Sequence, residues 1–196
     1  MRIIFATTNE GKMKEIRMIM SDLGVEILSM KEAACSLDIV EDGESFEENA
    51  IIKARAVAGV CNDIVLADDS GLEVDYLNKE PGIYSARYLG EDTPYSVKNK
   101  SIIDRLDGVE DDKRTARFVC AIAAVFPDGT VRTTRGTIEG RITEEPMGEN
   151  GFGYDPIVYV PEFGRTTAQL TAEEKNKVSH RGKALEQMKK YIQEWM

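Results

Sequence analysis

The stretch from Arg117 to Phe126 constrains the fold more than any other part of the chain. From Phe118 onward it is apolar at both alternating sets of positions. A strand with one face in water alternates apolar with polar residues, whereas a strand apolar on both faces has to be covered on both. Helices must therefore supply two sides of a sheet, which points to the α/β class. Pro127-Asp128-Gly129 follows with turn chemistry, and 130–142 returns as a more polar strand, so the pair reads as one long hairpin.

The rest of the pattern agrees. Arg2 to Ala6 is a short strand followed by the polar turn TTNEGK (7–12) and a helix with Met13, Ile16, Met20 and Leu23 at helical spacing. Val25 to Leu28 is a second strand. After an acidic loop ending in EDGE (41–44), Ser45 and Glu48 form a capping box that starts a helix with the inward stripe Phe46, Ala50, Ala54, Val57 and Cys61. Asn49 and Lys53 share a different stripe of that helix. Ile64 to Ala67 is a buried strand, expected to stop at Asp68-Asp69-Ser70-Gly71. Thr93-Pro94 predicts a helix start, cap then first-turn proline, for a helix reaching Leu106. Ile157 to Val160 is a further short strand, Thr171 and Glu174 form a second capping box, and Ser179 starts a last amphipathic helix bearing Ala184, Leu185, Met188, Tyr191, Ile192 and Trp195.

Composition narrows the class of function. At 196 residues and 42% hydrophobic the chain can bury a core as one domain and is not disordered. Cys35, Cys61 and Cys120 are widely spaced and form no Cys-x-x-Cys pair, which excludes a disulfide framework or a Cys₄ zinc site and fits a reducing compartment. The apolar run Ile3 to Ala6 is too short for a signal peptide or a membrane span, so a cytoplasmic protein is expected. A net charge of −10 disfavours nucleic acid polymers but not a single nucleotide, and it suits carboxylate-bound Mg²⁺.

The devices of many other enzymes are missing. The sequence holds neither a G-x-x-x-x-G-K-[ST] phosphate loop nor a dinucleotide fingerprint, and with His180 as the single histidine a two-histidine zinc motif is impossible. What remains are carboxylates, lysines and turns. ADDSGL (67–72) puts two carboxylates at the end of a buried strand, a costly place unless a cation compensates them; an ordinary solvated turn is the alternative. TTNEGK can cradle a phosphate on the first N–H groups of its helix together with Lys12, or can simply cap that helix through Thr8 or Asn9. Glu41, Asn49 and Lys53 can face a cleft or form an exposed polar face. In GENGFGYDP (148–156) the glycines let backbone approach a flat ligand and an aromatic ring can stack on a base; the alternative is a loop with Phe152 plugging the core. SHRG (179–182) can bind a ligand or merely open a helix.

Taken together and in order, TTNEGK (7–12), EDGESFEENAIIKA (41–54), ADDSGLEV (67–74), PGIYSAR (81–87), GFGYDPI (151–157) and EKNKVSHRGKAL (174–185) resemble the family of non-canonical purine nucleoside triphosphate pyrophosphatases, the inosine/xanthosine triphosphate pyrophosphatases, over essentially the whole chain. Two departures are small: Thr8 stands where glycine is common in that family, and Gln169 where glutamate is frequent.

The resemblance implies a single domain, 1–196, with an elongated mixed sheet, flanking helices and two lobes around a central substrate cleft, acting as a homodimer without nucleic acid polymer or membrane. It implies Mg²⁺ on Glu41 and Asp69, with Asp68 in support and Asp69 the catalytic proton acceptor. Thr7, Thr8, Asn9, Glu10, Gly11, Lys12, Lys53 and Ser70 would hold the phosphates. Phe152, Gly153, Tyr154, Asp155, Lys175, His180 and Arg181 would form the nucleotide and base pocket. The reaction would release pyrophosphate from inosine, deoxyinosine and xanthosine triphosphates. A phosphatase releasing orthophosphate and a silent nucleotide sensor are the alternatives from other classes.

Overall fold

The computed structural model describes residues 1–35 and 37–196. It contains strands β1 (Arg2–Phe5), β2 (Glu26–Ser29), β3 (Ile64–Val74), β4 (Thr115–Val125), β5 (Val131–Ile142), β6 (Val158–Val160) and β7 (Arg165–Thr166). The helices are α1 (Glu10–Ile19), α2 (Phe46–Ala58), α3 (Tyr95–Arg105), α4 (Ala172–Val178) and α5 (His180–Trp195). The strands form one mixed sheet in the order β2-β1-β3-β4-β5-β6-β7. β1 runs parallel to both β2 and β3, while β6 is antiparallel to β5 and to β7. The expected α/β class and mixed sheet with flanking helices are what the structure has.

The chain divides into two compact units. The first comprises Met1–Asp69, Cys120–Gly136 and His180–Met196; the second comprises Ser70–Val119 and Thr137–Ser179. In the first, strand alternation sorts the core into two layers. Ile3 and Phe5 of β1, Ile64 and Leu66 of β3, and Cys120, Ile122 and Ala124 of β4 pack with Met13 and Ile16 of α1 and Leu185, Met188 and Ile192 of α5. The intervening residues Ile4, Val65, Ala67, Ala123 and Val125 pack with Ala50, Ala54 and Val57 of α2. This is the two-sided burial that the apolar run in β4 requires. In the second unit, Leu72, Val74, Ala116, Phe118, Ile138 and Ile142 pack with Ile102 and Leu106 of α3.

Four local expectations need correction. β3 does not stop at Ala67: Asp68, Asp69, Ser70 and Gly71 lie within the strand, because side chains from three helices neutralise the two carboxylates. α2 ends at Ala58, so Cys61 lies beyond the helix and is half-buried, whereas Cys120 is fully buried. Ser45 caps α2 by accepting from the Glu48 N–H, but Glu48 returns its carboxylate to the Glu44 N–H at 2.7 Å, not to Ser45. At α3 the cap position is Pro94, and the Thr93 hydroxyl donates to the Leu89 carbonyl instead. The second capping box, Thr171 with Glu174, forms with both reciprocal bonds.

Candidate active site

Consecutive residues of a strand point to opposite faces, and β3 uses this to send its two aspartates to different partners. Asp68 follows Ile64 and Leu66 onto the α1/α5 side. There Lys12 of α1 lies 3.0 Å from its carboxylate and Arg181 of α5 lies 3.2 Å away. Arg181 is itself buried, and its other guanidinium nitrogen is paired with Glu15 of α1. Burial alone would raise the Asp68 pKa, but Lys12, Arg181 and Lys53 outweigh it and hold the group well below the usual carboxylate range. Asp68 is a permanent anion in a closed ionic cluster.

Asp69 follows Val65 and Ala67 onto the α2 side. Asn49 donates to it at 3.1 Å, and the Lys53 ammonium lies 3.8 Å from its other oxygen and 3.0 Å from Glu41. Here burial wins: it pushes Asp69 up to about 6, against the pull of Lys53 and Asn49. Burial also works against charge on Lys53, yet Asp68, Asp69 and Glu41 together raise its pKa. A buried carboxylate short of positive charge, near a second carboxylate, is the electrostatic setting in which a hard cation gains most. Glu41 and Asp69 offer carboxylate oxygens, the donor type that suits a hard cation such as Mg²⁺.

The turn 7–12 builds the entry to α1. The Thr7 hydroxyl accepts from the Asn9 N–H at 3.1 Å, and Asn9 caps the helix by accepting from the Lys12 N–H at 3.0 Å. Thr8, Asn9 and Glu10 are exposed, while Gly11 and Lys12 are half-buried. His180 and Arg181 open α5 as buried residues and do not face water.

In the second unit the loop 151–155 is pinned by Asp155. This buried carboxylate accepts from the Phe152 N–H at 2.9 Å, the Thr167 hydroxyl at 2.8 Å and the Lys175 ammonium of α4 at 2.6 Å. Lys175 also lies 4.8 Å from the centre of the half-buried Phe152 ring. Phe152 is therefore a ring held at the surface on an ionic base, not a core plug. Tyr154 is the plug: it is buried, donates to the Ser85 carbonyl at 2.6 Å and meets Tyr95 edge to face. Asn99 of α3 donates to the Gly153 carbonyl at 3.2 Å, and Ser70 is half-buried in β3.

Of the residues expected at the site, Lys12, Glu41, Lys53, Asp68, Asp69 and Arg181 thus share one cluster, and Phe152, Gly153, Asp155 and Lys175 another. One member, Glu15, was not singled out from sequence; it sits three positions after Lys12 on the same face of α1, the kind of spacing that had paired Asn49 with Lys53 as residues able to face a cleft.

Paired strand aspartates on an α/β sheet with lysines within reach make an arrangement suited to phosphate chemistry. The model of the Ham1 family matches residues 3–191, and the chain belongs to that family. Among its relatives are the dITP/XTP pyrophosphatase of Bacillus subtilis (strain 168), 47% identical over 97% of this chain and 96% of the relative, and the dITP/XTP pyrophosphatase of Clostridium perfringens (strain 13 / Type A), 47% identical over 96% and 95%. Among solved structures, the Staphylococcus aureus Ham1 protein superposes with a TM-score of 0.88 at 40% identity, covering 100% of both chains.

Proposed function

We propose that this protein hydrolyses non-canonical purine nucleoside triphosphates (ITP, dITP and XTP) to the nucleoside monophosphate and pyrophosphate, removing deaminated purines from the nucleotide pool. The observation that carries the reading is the divided aspartate pair: one carboxylate locked as an anion, its neighbour buried, proton-hungry and flanked by Lys53 and Glu41. The relatives, named as dITP/XTP pyrophosphatases, support the substrate class.

In this reading Glu41 and Asp69 would hold Mg²⁺, which would neutralise charge on the phosphates. Asp69 accepts the proton of the attacking water as general base. Lys53 and Lys12 carry the phosphate charge, together with the first N–H groups of α1 and Ser70. Asp68 fixes Lys12, and Arg181 fixes Asp68 through its second bond to Glu15. The base lies against Phe152, with Lys175 or loop N–H groups donating to its 6-oxo oxygen. Adenine presents an amine there, leaving a buried donor facing a donor. The protein acts in the cytoplasm as a homodimer, without nucleic acid polymer or membrane; among the described residues no helix is long and apolar enough to cross a bilayer.

The test is the product. Incubated with ITP and Mg²⁺, the protein is expected to release one pyrophosphate per inosine monophosphate, and EDTA is expected to stop it. Release of orthophosphate would make it a phosphatase instead, and binding without turnover would make it a sensor.

A further inference from the structure

Asn49 is fully buried in the first half of α2, on a helix whose neighbouring buried positions are Phe46, Ala50, Ala54 and Val57. A carboxamide there costs burial of polar groups unless both of its ends are bonded. They are. Its Oδ1 accepts from the Gly43 N–H at 2.8 Å, and its Nδ2 donates to Asp69 Oδ2 at 3.1 Å. The orientation is forced, because the reversed amide would set a donor against the Gly43 N–H and an oxygen against a carboxylate. Gly43 is fitted to this contact: a Cβ there would lie 2.7 Å from Asn49 Oδ1 and 2.8 Å from Glu48 Cβ. One side chain thus ties the acidic loop, two residues from Glu41, to Asp69 on β3. One helical turn later, Lys53 also reaches Asp69 and pairs with Glu41 directly.

We propose that Asn49 is a positioning residue that sets the spacing of Glu41 and Asp69, so that the two carboxylates can share one divalent cation. The inference rests on the reading of those two as the metal ligands. Lys53 joins Glu41 and Asp69 through a long side chain that can adapt its reach, whereas the amide bonds have fixed direction and length. The amide therefore specifies geometry where the ammonium supplies neutralisation. Residues that orient metal ligands in this way typically account for about 10–100-fold of metal affinity.

The experiment measures Mn²⁺ binding to the full-length protein without nucleotide, by the electron paramagnetic resonance signal of free Mn²⁺, beside the Mg²⁺ dependence of ITP turnover. Asn49→Leu is expected to weaken Mn²⁺ binding by about tenfold or more. It is also expected to raise the Mg²⁺ concentration for half-maximal rate. At saturating Mg²⁺, KM for ITP should stay within about threefold of the parent, since the contacts to the base are untouched. Gly43→Ala attacks the same contact from the exposed loop and should reproduce the effect, so it decides the question if Asn49→Leu fails to fold. Unchanged Mn²⁺ affinity in the folded variants, with Glu41→Gln and Asp69→Asn both weakened, overturns the positioning role. Unchanged affinity in Glu41→Gln and Asp69→Asn as well overturns the metal reading beneath it.

Discussion

Asp68 and Asp69 are the same residue type at consecutive positions of β3, yet the fold shifts their pKa values in opposite directions. The difference lies in the cations close to each: Lys12 and Arg181 lie 3.0 and 3.2 Å from Asp68, while Lys53 lies 3.8 Å from Asp69, beside the Asn49 amide and near Glu41. This has a measurable sign. With a folded-state pKa of about 6, above the ordinary 3.8, Asp69 holds its proton more tightly in the folded chain than in the unfolded one. The stability from that proton is full below about pH 4 and is lost as pH rises through about 6. Asp69→Asn cannot lose it. In buffers free of divalent ions, the variant's melting temperature is expected to gain on the parent's as pH rises from about 4 to 6, with the gap level above. Turnover of ITP should fall by ~10²-fold or more, the usual scale for loss of a general base. A gap independent of pH would mean that Asp69 is already compensated without metal.

At the scale of elements, α5 brings Arg181 to Asp68 only because its first turn seats closely on β5. Gly136 of β5 makes the seat: a Cβ there would lie 2.2 Å from the His180 carbonyl oxygen and 2.8 Å from the Ala184 N, both backbone atoms that cannot swing aside. The Thr134 hydroxyl, donating to the Ala184 carbonyl at 2.8 Å, holds the same turn from the other side. Gly136→Ala is therefore expected to cost about 1–3 kcal/mol, the range for overpacking a close contact, and to lower activity by shifting Arg181. Urea denaturation and ITP turnover check the two parts; a variant unchanged in both would show that α5 can slide. None of this was visible in the sequence, where Gly136 is one glycine inside a polar strand. What was legible followed from period and chemistry: the two-sided β4, the α2 stripe, the full Thr171–Glu174 box and the separate start of α5. What was not legible depended on partners far away in the chain. β3 runs on through Asp68 and Asp69 because Lys12, Lys53 and Arg181, drawn from three helices, neutralise them, and no local rule announces that. The ordered motifs identified the family, but they did not reveal that Arg181 is buried between Glu15 and Asp68.

Across the whole molecule, the first unit is assembled from three separate segments, and its last one is α5. Its core therefore stays open until the final residues of the chain arrive. Leu185, Met188 and Ile192 are each fully buried against α1 and the strands β1, β3 and β4. Burying such side chains is worth about 1.5–3 kcal/mol each, so these three alone supply roughly 5–9 kcal/mol. A domain of this kind has a net stability of about 5–15 kcal/mol, so α5 is not an appendage that can be lost with graded effect. The loss would also uncover Asp68, whose charge is held in the interior partly by Arg181, and a buried carboxylate stripped of one cation adds its own penalty. A chain ending at Ser179, although it keeps β1 to β7 and every residue of the 151–155 loop, is expected to show no cooperative thermal transition and little native near-ultraviolet circular dichroism. Restoring 180–196 as a separate peptide is a stringent companion, because α5 has to supply the apolar stripe and Arg181 together. Cooperative melting of the truncated chain by itself would show that the sheet and the remaining helices close a core without α5, and that α5 serves Asp68 alone.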